Sequence, residues 1–181
     1  MTFETAKEIL DRAYADMEGY ESMVIELHGG EPFINFPLIE KIDAYVMEHY
    51  AEVPVLFRMI TNGTLVHGRI QEWLRSRAER YELMLSIDGK QEQHDANRKQ
   101  VGGRGSFEQI DLDFFLKTWK HCPVSMTINA GTLDHMAEGT IWLQEKGFDC
   151  CNAFEWAVDW DLRSSVPVLK RELDKLTAYY T

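Results

Sequence analysis

The stretch Ile25-Glu26-Leu27-His28-Gly29-Gly30-Glu31-Pro32-Phe33 is the part of the sequence that decides the fold class. An apolar run ends abruptly in two glycines, an acid and a proline, and a helix pattern then opens at Pro37. This pattern predicts a strand that stops so that bare backbone and one carboxylate face a small polar ligand. Gly29 and Gly30 could adopt positive φ there, and Glu31 could pair with an ammonium group. The alternative is an ordinary strand–loop turn with a solvated Glu31.

Strand and helix signals alternate along the rest of the chain. The predicted strands are 23–28, 54–60, 82–87, 123–129 and 151–158; helices are predicted at 3–17, from 37, around 70–74, and at 106–119, 135–146 and 168–180. Such alternation favours a parallel α/β sheet or barrel with right-handed crossovers. Because no Pro- or Gly-rich linker interrupts it, residues 1–181 are predicted to form one domain.

Polar side chains follow the strands at the edge where parallel α/β folds place their sites. These residues are His28 and Glu31, Thr61 and Asn62, Ser86 and Asp88, and Asn129. A hydroxyl and a carboxylate at 86–89 could hold a ligand, although Asp88-Gly89 and Asn62-Gly63 are also common turn sequences. Both interpretations remain open on the sequence alone.

A polar loop is predicted from Lys90 to Gly105, and it carries His94-Asp95-Ala96-Asn97-Arg98. Arg98 is a candidate for gripping a carboxylate. His94 and Asp95 could form a catalytic pair, but a hydrogen-bonded structural histidine is the favoured interpretation. Ser106-Phe-Glu-Gln109 has the form of a capping box at the start of a helix. Residues around Lys170-Arg171-Glu172 are predicted to be a solvated helix face.

The composition narrows the class of partner. Among 181 residues, 45% are hydrophobic, and 30 Asp and Glu against 19 Lys and Arg give a formal charge of −11. This acidity argues against a nucleic-acid partner. We expect no membrane span, because no apolar run is long enough. Without a signal-peptide pattern, a cytoplasmic protein is expected.

The three cysteines are Cys122, Cys150 and Cys151. Adjacent cysteines rarely bridge each other, so reduced thiols at or near strand starts are the favoured interpretation. A metal site at Cys150 and Cys151 is the minor alternative, because no nearby residues complete a ligand set.

Taken together and in order, the motifs resemble those of radical S-adenosylmethionine (SAM, AdoMet) enzymes, in the branch of anaerobic sulfatase-maturating and other peptide- or protein-modifying enzymes. The resemblance is carried by His28-Gly-Gly-Glu-Pro32, Thr61-Asn-Gly63, Ser86-Ile-Asp-Gly89, His94-Asp-Ala-Asn-Arg98 and Gly103-Arg-Gly-Ser-Phe107. It implies a partial (β/α)6 TIM-like barrel with AdoMet across the strand ends. The implied AdoMet-binding residues are His28, Gly29, Gly30, Glu31, Asn62, Ser86, Asp88, Arg98 and Asn129.

The resemblance also implies roles for individual residues. The corner from His28 to Glu31 would meet the methionine amino group, Ser86 and Arg98 would hold the ribose and carboxylate regions, and Asn62 and Asn129 would line the site. In intact enzymes of this family, a [4Fe-4S] cluster reduces AdoMet, and the resulting radical abstracts a hydrogen from the substrate.

The chain departs from the family in one respect: it contains no Cys-x-x-x-Cys-x-x-Cys loop. Iron–sulfur clusters need thiolate ligands, so this polypeptide alone is expected to be inactive and to bind AdoMet weakly or not at all. It is expected to be a truncated barrel of about five strands without the first strand and its cluster loop. Its strand at Met23–His28 would then be an exposed edge that invites dimerisation.

Two other functions remain open. The chain could be a non-catalytic half-barrel that serves as a binding or interaction module. It could also be an unrelated hydrolase or lyase with Glu31 or Asp88 as acid–base. The intact radical SAM enzyme would act on a peptide or protein.

Overall fold

The chain folds as an α/β protein, and the computed structural model describes residues 1–181. Its strands are β1 (Met23–Leu27), β2 (Val55–Thr61), β3 (Tyr81–Ser86), β4 (Pro123–Ile128) and β5 (Asp149–Phe154); its α-helices are α1 (Phe3–Ala15), α2 (Phe36–His49), α3 (Arg69–Arg75), α4 (Gln91–Asn97), α5 (Leu112–Thr118), α6 (Met136–Lys146) and α7 (Leu162–Tyr180). The strands form an open parallel sheet in the order β1-β2-β3-β4-β5. The predicted α/β class and parallel sheet are confirmed.

Contacts between residues divide the chain into two compact units. The first unit comprises residues 1–61 and 68–83, and the second comprises residues 62–67 and 84–181. Each unit has its own buried core and is described separately. The prediction of one domain over the whole chain stays a prediction.

The core of the first unit lies between its strands and α2. Strands β1 and β2 pair in parallel with Met23 opposite Val55. The side chains of Val46 and Phe57 are fully buried, and the ring of Phe57 stacks on that of Tyr81 with 4.7 Å between centroids. Burial of large apolar side chains of this kind is the main source of stability.

A buried charge cluster lies beside this core. The Asp43 side chain is 3% exposed and accepts hydrogen bonds from Arg77 Nε at 3.0 Å, from Arg80 Nε and Nη2 at 3.0–3.1 Å, and from the Tyr81 hydroxyl at 3.1 Å. Burial raises the pKa of Tyr81, and the neighbouring Asp43 carboxylate raises it further. Asp43 thus ties α2 to the segment that leads into β3.

The second unit is built on the pairing of β4 with β5, which places Val124 opposite Cys150. Its core contains the buried side chains of Leu85, Ile87, Val124, Met126, Ile128, Phe115, Leu143 and Phe148. Helix α6 ends at Gly147, whose φ of 101° is the left-handed conformation typical of a helix C-terminus.

Gly89 and α6 approach each other closely. A Cβ on Gly89 would lie 2.9 Å from the Cα of Gly139 and 2.1 Å from Oε1 of Gln93, and Gly89 has φ +80°. A residue with a side chain at position 89 would therefore clash with backbone as well as adopt a strained φ. This turn requires glycine for steric reasons alone.

Two predicted loop and helix assignments were wrong. The predicted polar loop 90–105 contains α4, because this helix buries the polar residues Gln93 and His94 and so shows no apolar periodicity. The predicted helix 106–119 is a 3-10 turn, Phe107–Gln109, followed by α5 with Asp111 as its N-cap. Ser106 does not cap, since its hydroxyl bonds instead to His94 and to the Arg98 carbonyl.

The last strand and helix also differ from the prediction. Strand β5 covers 149–154, and α7 begins at Leu162 and continues through Pro167. Glu172 was wrongly predicted to be solvated: its side chain is fully buried and accepts from the Ala137 N–H in the first turn of α6 at 3.1 Å. Burial alone would raise the pKa of Glu172, but hydrogen bonds from Lys175 and the Ala137 N–H lower it.

None of the helices combines the length and apolar character needed to cross a lipid bilayer.

Candidate functional site

The corner after β1 in the first unit is built around a restrained carboxylate. Glu31 is the N-cap of a 3-10 turn over Pro32–Asn35, and its Oε1 accepts from the Phe33 N–H at 3.2 Å. The hydroxyl of Thr61, at the end of β2, donates to the two oxygens of Glu31 at 2.9 and 3.0 Å. The carboxylate is therefore held in one orientation, and the Thr61 contact was not foreseen from the sequence.

Gly29 and Gly30 lie on the surface of this corner. Neither has positive φ, so the suggestion that they adopt left-handed conformations was wrong. A Cβ added at either position would meet no atom within 4 Å. The first unit therefore imposes no steric demand for glycine at 29 and 30, and the missing side chains leave backbone open to an approaching molecule.

An open cavity of about 470 Å³ lies against the same corner. Its wall is formed by the segment Glu26–Pro32 together with Met1, Ile34, Asn35, Leu38, Ile39 and Ile42. The wall combines apolar side chains with the carboxylates of Glu26 and Glu31. Small-molecule sites are mostly apolar with a few polar groups, and their volumes run from about 300 to 1,000 Å³. The first unit alone thus offers a place for a ligand with a cationic group.

His28 lines the same cavity, and its side chain is 59% exposed. Its Nε2 lies 3.1 Å from Oε2 of Glu26, and Arg58 Nη1 donates to Oε1 of Glu26 at 3.3 Å. The bond from His28, followed by that from Arg58, lowers the pKa of Glu26. The predicted site residues His28, Gly29, Gly30 and Glu31 all line the cavity at this corner.

In the second unit, the loop after β3 places Asp88 at the centre of a polar cluster. The carboxylate is 2% exposed and accepts from Arg98 Nε at 2.8 Å and Arg98 Nη2 at 3.0 Å. It also accepts from the Thr127 N–H at 2.8 Å and from Asn97 Nδ2 at 3.2 Å. The Asp88 carboxylate therefore links the segment after β3 to the C-terminal part of β4.

Asn129 extends the cluster beyond β4. Its Nδ2 donates to Oδ1 of Asn97 at 2.6 Å, and its Oδ1 accepts from the Gly131 N–H at 2.9 Å. Of the site residues predicted in this unit, the structure brings Asp88, Arg98 and Asn129 together. Asn97 and Thr127 were missed; Asn97 could have been found as a neighbour of Arg98, but nothing in the sequence points to Thr127.

The two other predicted residues of this unit are Ser86 and Asn62. Ser86 is the half-buried last residue of β3. The Oδ1 of Asn62 accepts from the backbone N–H and the hydroxyl of Thr64, at 2.9 and 2.7 Å, which is turn geometry. Their contact with a ligand stays a prediction.

His94 is a buried structural histidine, as favoured from the sequence. Its Nδ1 accepts from the Asp88 N–H at 3.3 Å, so its proton lies on Nε2, which donates to the Ser106 hydroxyl at 2.9 Å. Burial lowers the pKa of His94 to about 4. Asp95 is no partner of the ring, because its carboxylate accepts from the Phe107 N–H.

The cysteines form no cluster site. All three thiols are unbridged, and burial raises the pKa of Cys122 and of Cys150 to about 12. No group of three or more His, Cys, Asp or Glu side chains is arranged to hold a metal ion. The residues present therefore do not fit a [4Fe-4S] cluster, which needs several thiolates.

The amino-acid sequence is similar to those of known proteins. The chain is 26% identical over 153 residues to the cysteine-type anaerobic sulfatase-maturating enzyme of Clostridium perfringens, a match that covers 82% of this chain and 40% of that enzyme. A second strain of Clostridium perfringens has an enzyme of the same description, 25% identical over 153 residues. The resemblance predicted from the motifs is thereby confirmed.

Solved structures of an anaerobic sulfatase-maturating enzyme, anSMEcpe, share the fold. The polyhistidine-tagged form with bound AdoMet aligns with a TM-score of 0.69 at 21% identity, over 85% of this chain and 44% of that chain. The native form with bound AdoMet and the Cp18Cys peptide aligns with a TM-score of 0.64 at 23% identity, over 77% of this chain and 39% of that chain. This likeness supports a partial TIM-like barrel.

A shorter match reaches an uncharacterised protein of Methanocaldococcus jannaschii, 34% identical over 89 residues, which cover 49% of this chain and 29% of that protein. No family model matches the chain. The chain thus spans about 40% of the length of the sulfatase-maturating relatives.

Proposed function

We propose that this chain is the AdoMet-binding part of a radical SAM enzyme that, in its intact form, abstracts a hydrogen from a peptide or protein. The observation that carries the proposal is the corner of the first unit, where an oriented Glu31 carboxylate adjoins two glycines for which the fold has no need. The homology to sulfatase-maturating enzymes supports it. Peptide substrates are supported by the peptide-bound relative.

The residues of the first unit fit the amino end of AdoMet. An ammonium group would be attracted to Glu31, whose carboxylate is already held by Thr61 and Phe33. The open backbone at Gly29 and Gly30 leaves room for the methionine portion. In the second unit, Ser86, Arg98 and Asn129 present a hydroxyl, a guanidinium and an amide, and their assignment to AdoMet from the motifs stays a prediction.

When bound in such enzymes, a [4Fe-4S] cluster supplies the electron that cleaves AdoMet. No such step can be assigned to residues of this chain, because its thiols do not form a ligand set. What its own residues can do is bind and orient AdoMet. Binding of AdoMet, expected to be weak, can therefore be tested separately from its cleavage.

The 181-residue chain, reconstituted anaerobically with iron, sulfide and a reductant, is expected to yield no 5′-deoxyadenosine from AdoMet. The reason is the missing set of thiolate ligands. Chromatographic quantification of 5′-deoxyadenosine is the measurement, with the Clostridium perfringens enzyme reconstituted in parallel as the positive control. Robust product formation by the 181 residues would overturn this part of the proposal.

A non-catalytic binding module is the second candidate function, and the poor fit of the thiols to a cluster favours it. The gene sequence upstream of Met1 separates the two candidates. An in-frame Cys-x-x-x-Cys-x-x-Cys motif supports the enzyme, and a stop codon or unrelated sequence supports the module. Dimerisation through the β1 edge stays a prediction under either function.

Replacing Gly30 by valine is expected to remove AdoMet binding while leaving stability nearly unchanged. A Cβ at this position would meet no atom within 4 Å apart from the chain neighbours, so the free energy of unfolding should change by less than about 1 kcal/mol. The valine side chain would occupy the space assigned to the ligand. Ligand-observed NMR at millimolar AdoMet, which detects weak binding, is the measurement.

The control for Gly30→Val is Ala51→Val, at an exposed position before β2 in the same unit. It should keep both stability and the AdoMet signal. Equal AdoMet signals from wild type and Gly30→Val would contradict the assignment of this corner, and so would a wild-type chain that gives no signal at all.

A further inference from the structure

The Asp88 carboxylate has no capacity left for a ligand. An ionised carboxylate has about four acceptor positions, and here two donors from Arg98 and one each from Asn97 and Thr127 occupy the two oxygens. Its side chain is 2% exposed. Any effect of Asp88 on a bound molecule must therefore pass through the groups that it holds.

Arg98 is the main group held in this way. Its Nε and Nη2 form a two-pronged contact with Asp88, and Nη2 also donates to the Thr127 hydroxyl at 3.1 Å. A guanidinium has five N–H groups in one plane, so the two N–H groups of Nη1 remain outside these contacts and their direction is set by the others. The Arg98 side chain is 28% exposed, which leaves it within reach of a ligand.

The backbone of Arg98 is also restrained. Its N–H donates to the His94 carbonyl at 2.7 Å, and its carbonyl accepts from the Ser106 hydroxyl at 3.0 Å. The Ser106 hydroxyl is itself fixed by the buried His94 ring. Arg98 is thus anchored at both its backbone and its guanidinium, an arrangement that stabilises one direction of Nη1.

Asp88 orients a second polar group through Asn97. Because Asn97 Nδ2 donates to Asp88 and to the Thr127 carbonyl, its Oδ1 is turned towards Nδ2 of Asn129. The amides of Asn97 and Asn129 therefore take their orientations from the same carboxylate. One buried charge sets the geometry of the donors at the ends of β3 and β4.

We propose that Asp88 is a positioning residue, which presents the Nη1 edge of Arg98 to AdoMet and makes no contact with AdoMet itself. This inference rests on the proposed function, and it replaces the direct contact assigned to Asp88 from the sequence. Asp88→Asn keeps the shape but exchanges one acceptor oxygen for a donor. That donor would face an N–H group of Arg98 in either orientation, together with the Thr127 N–H at one position or Asn97 Nδ2 at the other. Arg98 then loses its two-pronged contact.

A double-mutant cycle tests the proposal. AdoMet affinity is measured by ligand-observed NMR titration for wild type, Asp88→Asn, Arg98→Lys and the double variant, after ¹⁵N–¹H spectra confirm folding. Each single variant should lower the AdoMet affinity by about fivefold or more. Because both changes act on the same contact, the double variant should lose no more affinity than the single variant with the larger loss. The proposal would be overturned if the double variant lost the product of the two single losses, or if Asp88→Asn kept wild-type affinity.

A second readout does not depend on AdoMet. The Arg98 Nε–H should give a protected ¹⁵N–¹H signal in wild type that is lost in Asp88→Asn. If wild type shows the protected signal, Asp88→Asn loses it and AdoMet does not bind, then the proposed function fails but the coupling of Asp88 to Arg98 stands. If the Nε–H signal is unaffected by Asp88→Asn, the coupling is wrong, whether or not AdoMet binds.

Two further variants complete the design. Asp43→Asn is the matched control, because Asp43 is also a buried carboxylate with a two-pronged arginine contact, but its partners are Arg77 and Arg80 and not Arg98. It should lower the stability and leave the AdoMet affinity of the folded protein unchanged. If Asp88→Asn does not fold, Thr127→Val removes only the hydroxyl that fixes Arg98 Nη2. It should weaken AdoMet binding measurably, and unchanged affinity would overturn the proposal.

Discussion

Replacing Asp43 by alanine is expected to lower the free energy of unfolding by about 3 kcal/mol, because it leaves the half-buried charges of Arg77 and Arg80 without their carboxylate. The carboxylate is nearly inaccessible to solvent and receives bonds from Arg77, Arg80 and Tyr81. Urea denaturation followed by circular dichroism is the measurement. With typical domain stabilities of about 5–15 kcal/mol, a loss of this size puts the folded state at risk.

The control is Asp113→Ala, which removes an exposed carboxylate paired with Lys117, both side chains being 77% exposed. Exposed pairs contribute about 0–1 kcal/mol. If Asp43→Ala destabilises the chain no more than Asp113→Ala does, the view that the Asp43 cluster joins α2 to the segment before β3 is wrong. Asp43→Asn, which keeps the volume, should fall between the two.

Acidification from pH 6.5 to 4 is expected to lower the free energy of unfolding by about 3 kcal/mol, because His94 takes up a proton more readily in the unfolded chain than in the folded one. Burial lowers the folded-state pKa from 6.5 to about 4; Asp88 and Asp95 oppose this effect and Arg98 adds to it. Between these pKa values the unfolded chain binds a proton that the folded chain does not, so stability is complete above pH 6.5 and falls towards pH 4. Each pH unit in this window costs about 1.4 kcal/mol.

Unfolding free energies of wild type and His94→Gln, measured by urea titration at several pH values, isolate this effect from the carboxylates that titrate nearby. Gln can still accept from Asp88 and donate to Ser106, but it does not ionise. The slope between pH 4 and 6.5 should be smaller for His94→Gln than for wild type. His121→Gln, at a 67% exposed position, is the control, and identical slopes for all three proteins would contradict the prediction.

The first four strands were predictable because each combines apolar residues with a recognisable turn sequence at its end. The run from Met23 ends at Gly29-Gly30, and the strand before Asp88 ends at Asp88-Gly89. Helix α4 was not predictable, because the side chains that it buries, Gln93 and His94, are polar. Periodicity of apolar residues cannot reveal a helix whose inward face forms hydrogen bonds.

The start of α7 was misplaced for a different reason. The helix was predicted from Val168, yet it begins at Leu162 after Asp161, which caps the Arg163 N–H. Pro167 lies in the second turn, where a proline removes one helical hydrogen bond and crowds the carbonyl four residues before it. Local capping and tertiary packing outweighed the propensity of one residue.

The candidate site was predictable in its residue types but not in its connections. A carboxylate at 31 and a guanidinium at 98 could be read from the motifs. The partners that orient them could not, because Thr61 is 30 residues from Glu31 and Thr127 is 39 residues from Asp88. Such contacts depend on strand order and register, which short motifs do not encode.

Gly29 and Gly30 differ from Gly89 in the kind of selection that can preserve them. Because no neighbour and no backbone conformation requires glycine there, selection for folding cannot preserve the pair, whereas it must preserve Gly89. A descendant with no ligand to accommodate would drift to alanine, serine or larger residues at 29 and 30 while keeping glycine at 89. The substitution pattern at these three positions among close homologues therefore records whether the corner has remained under selection for ligand binding.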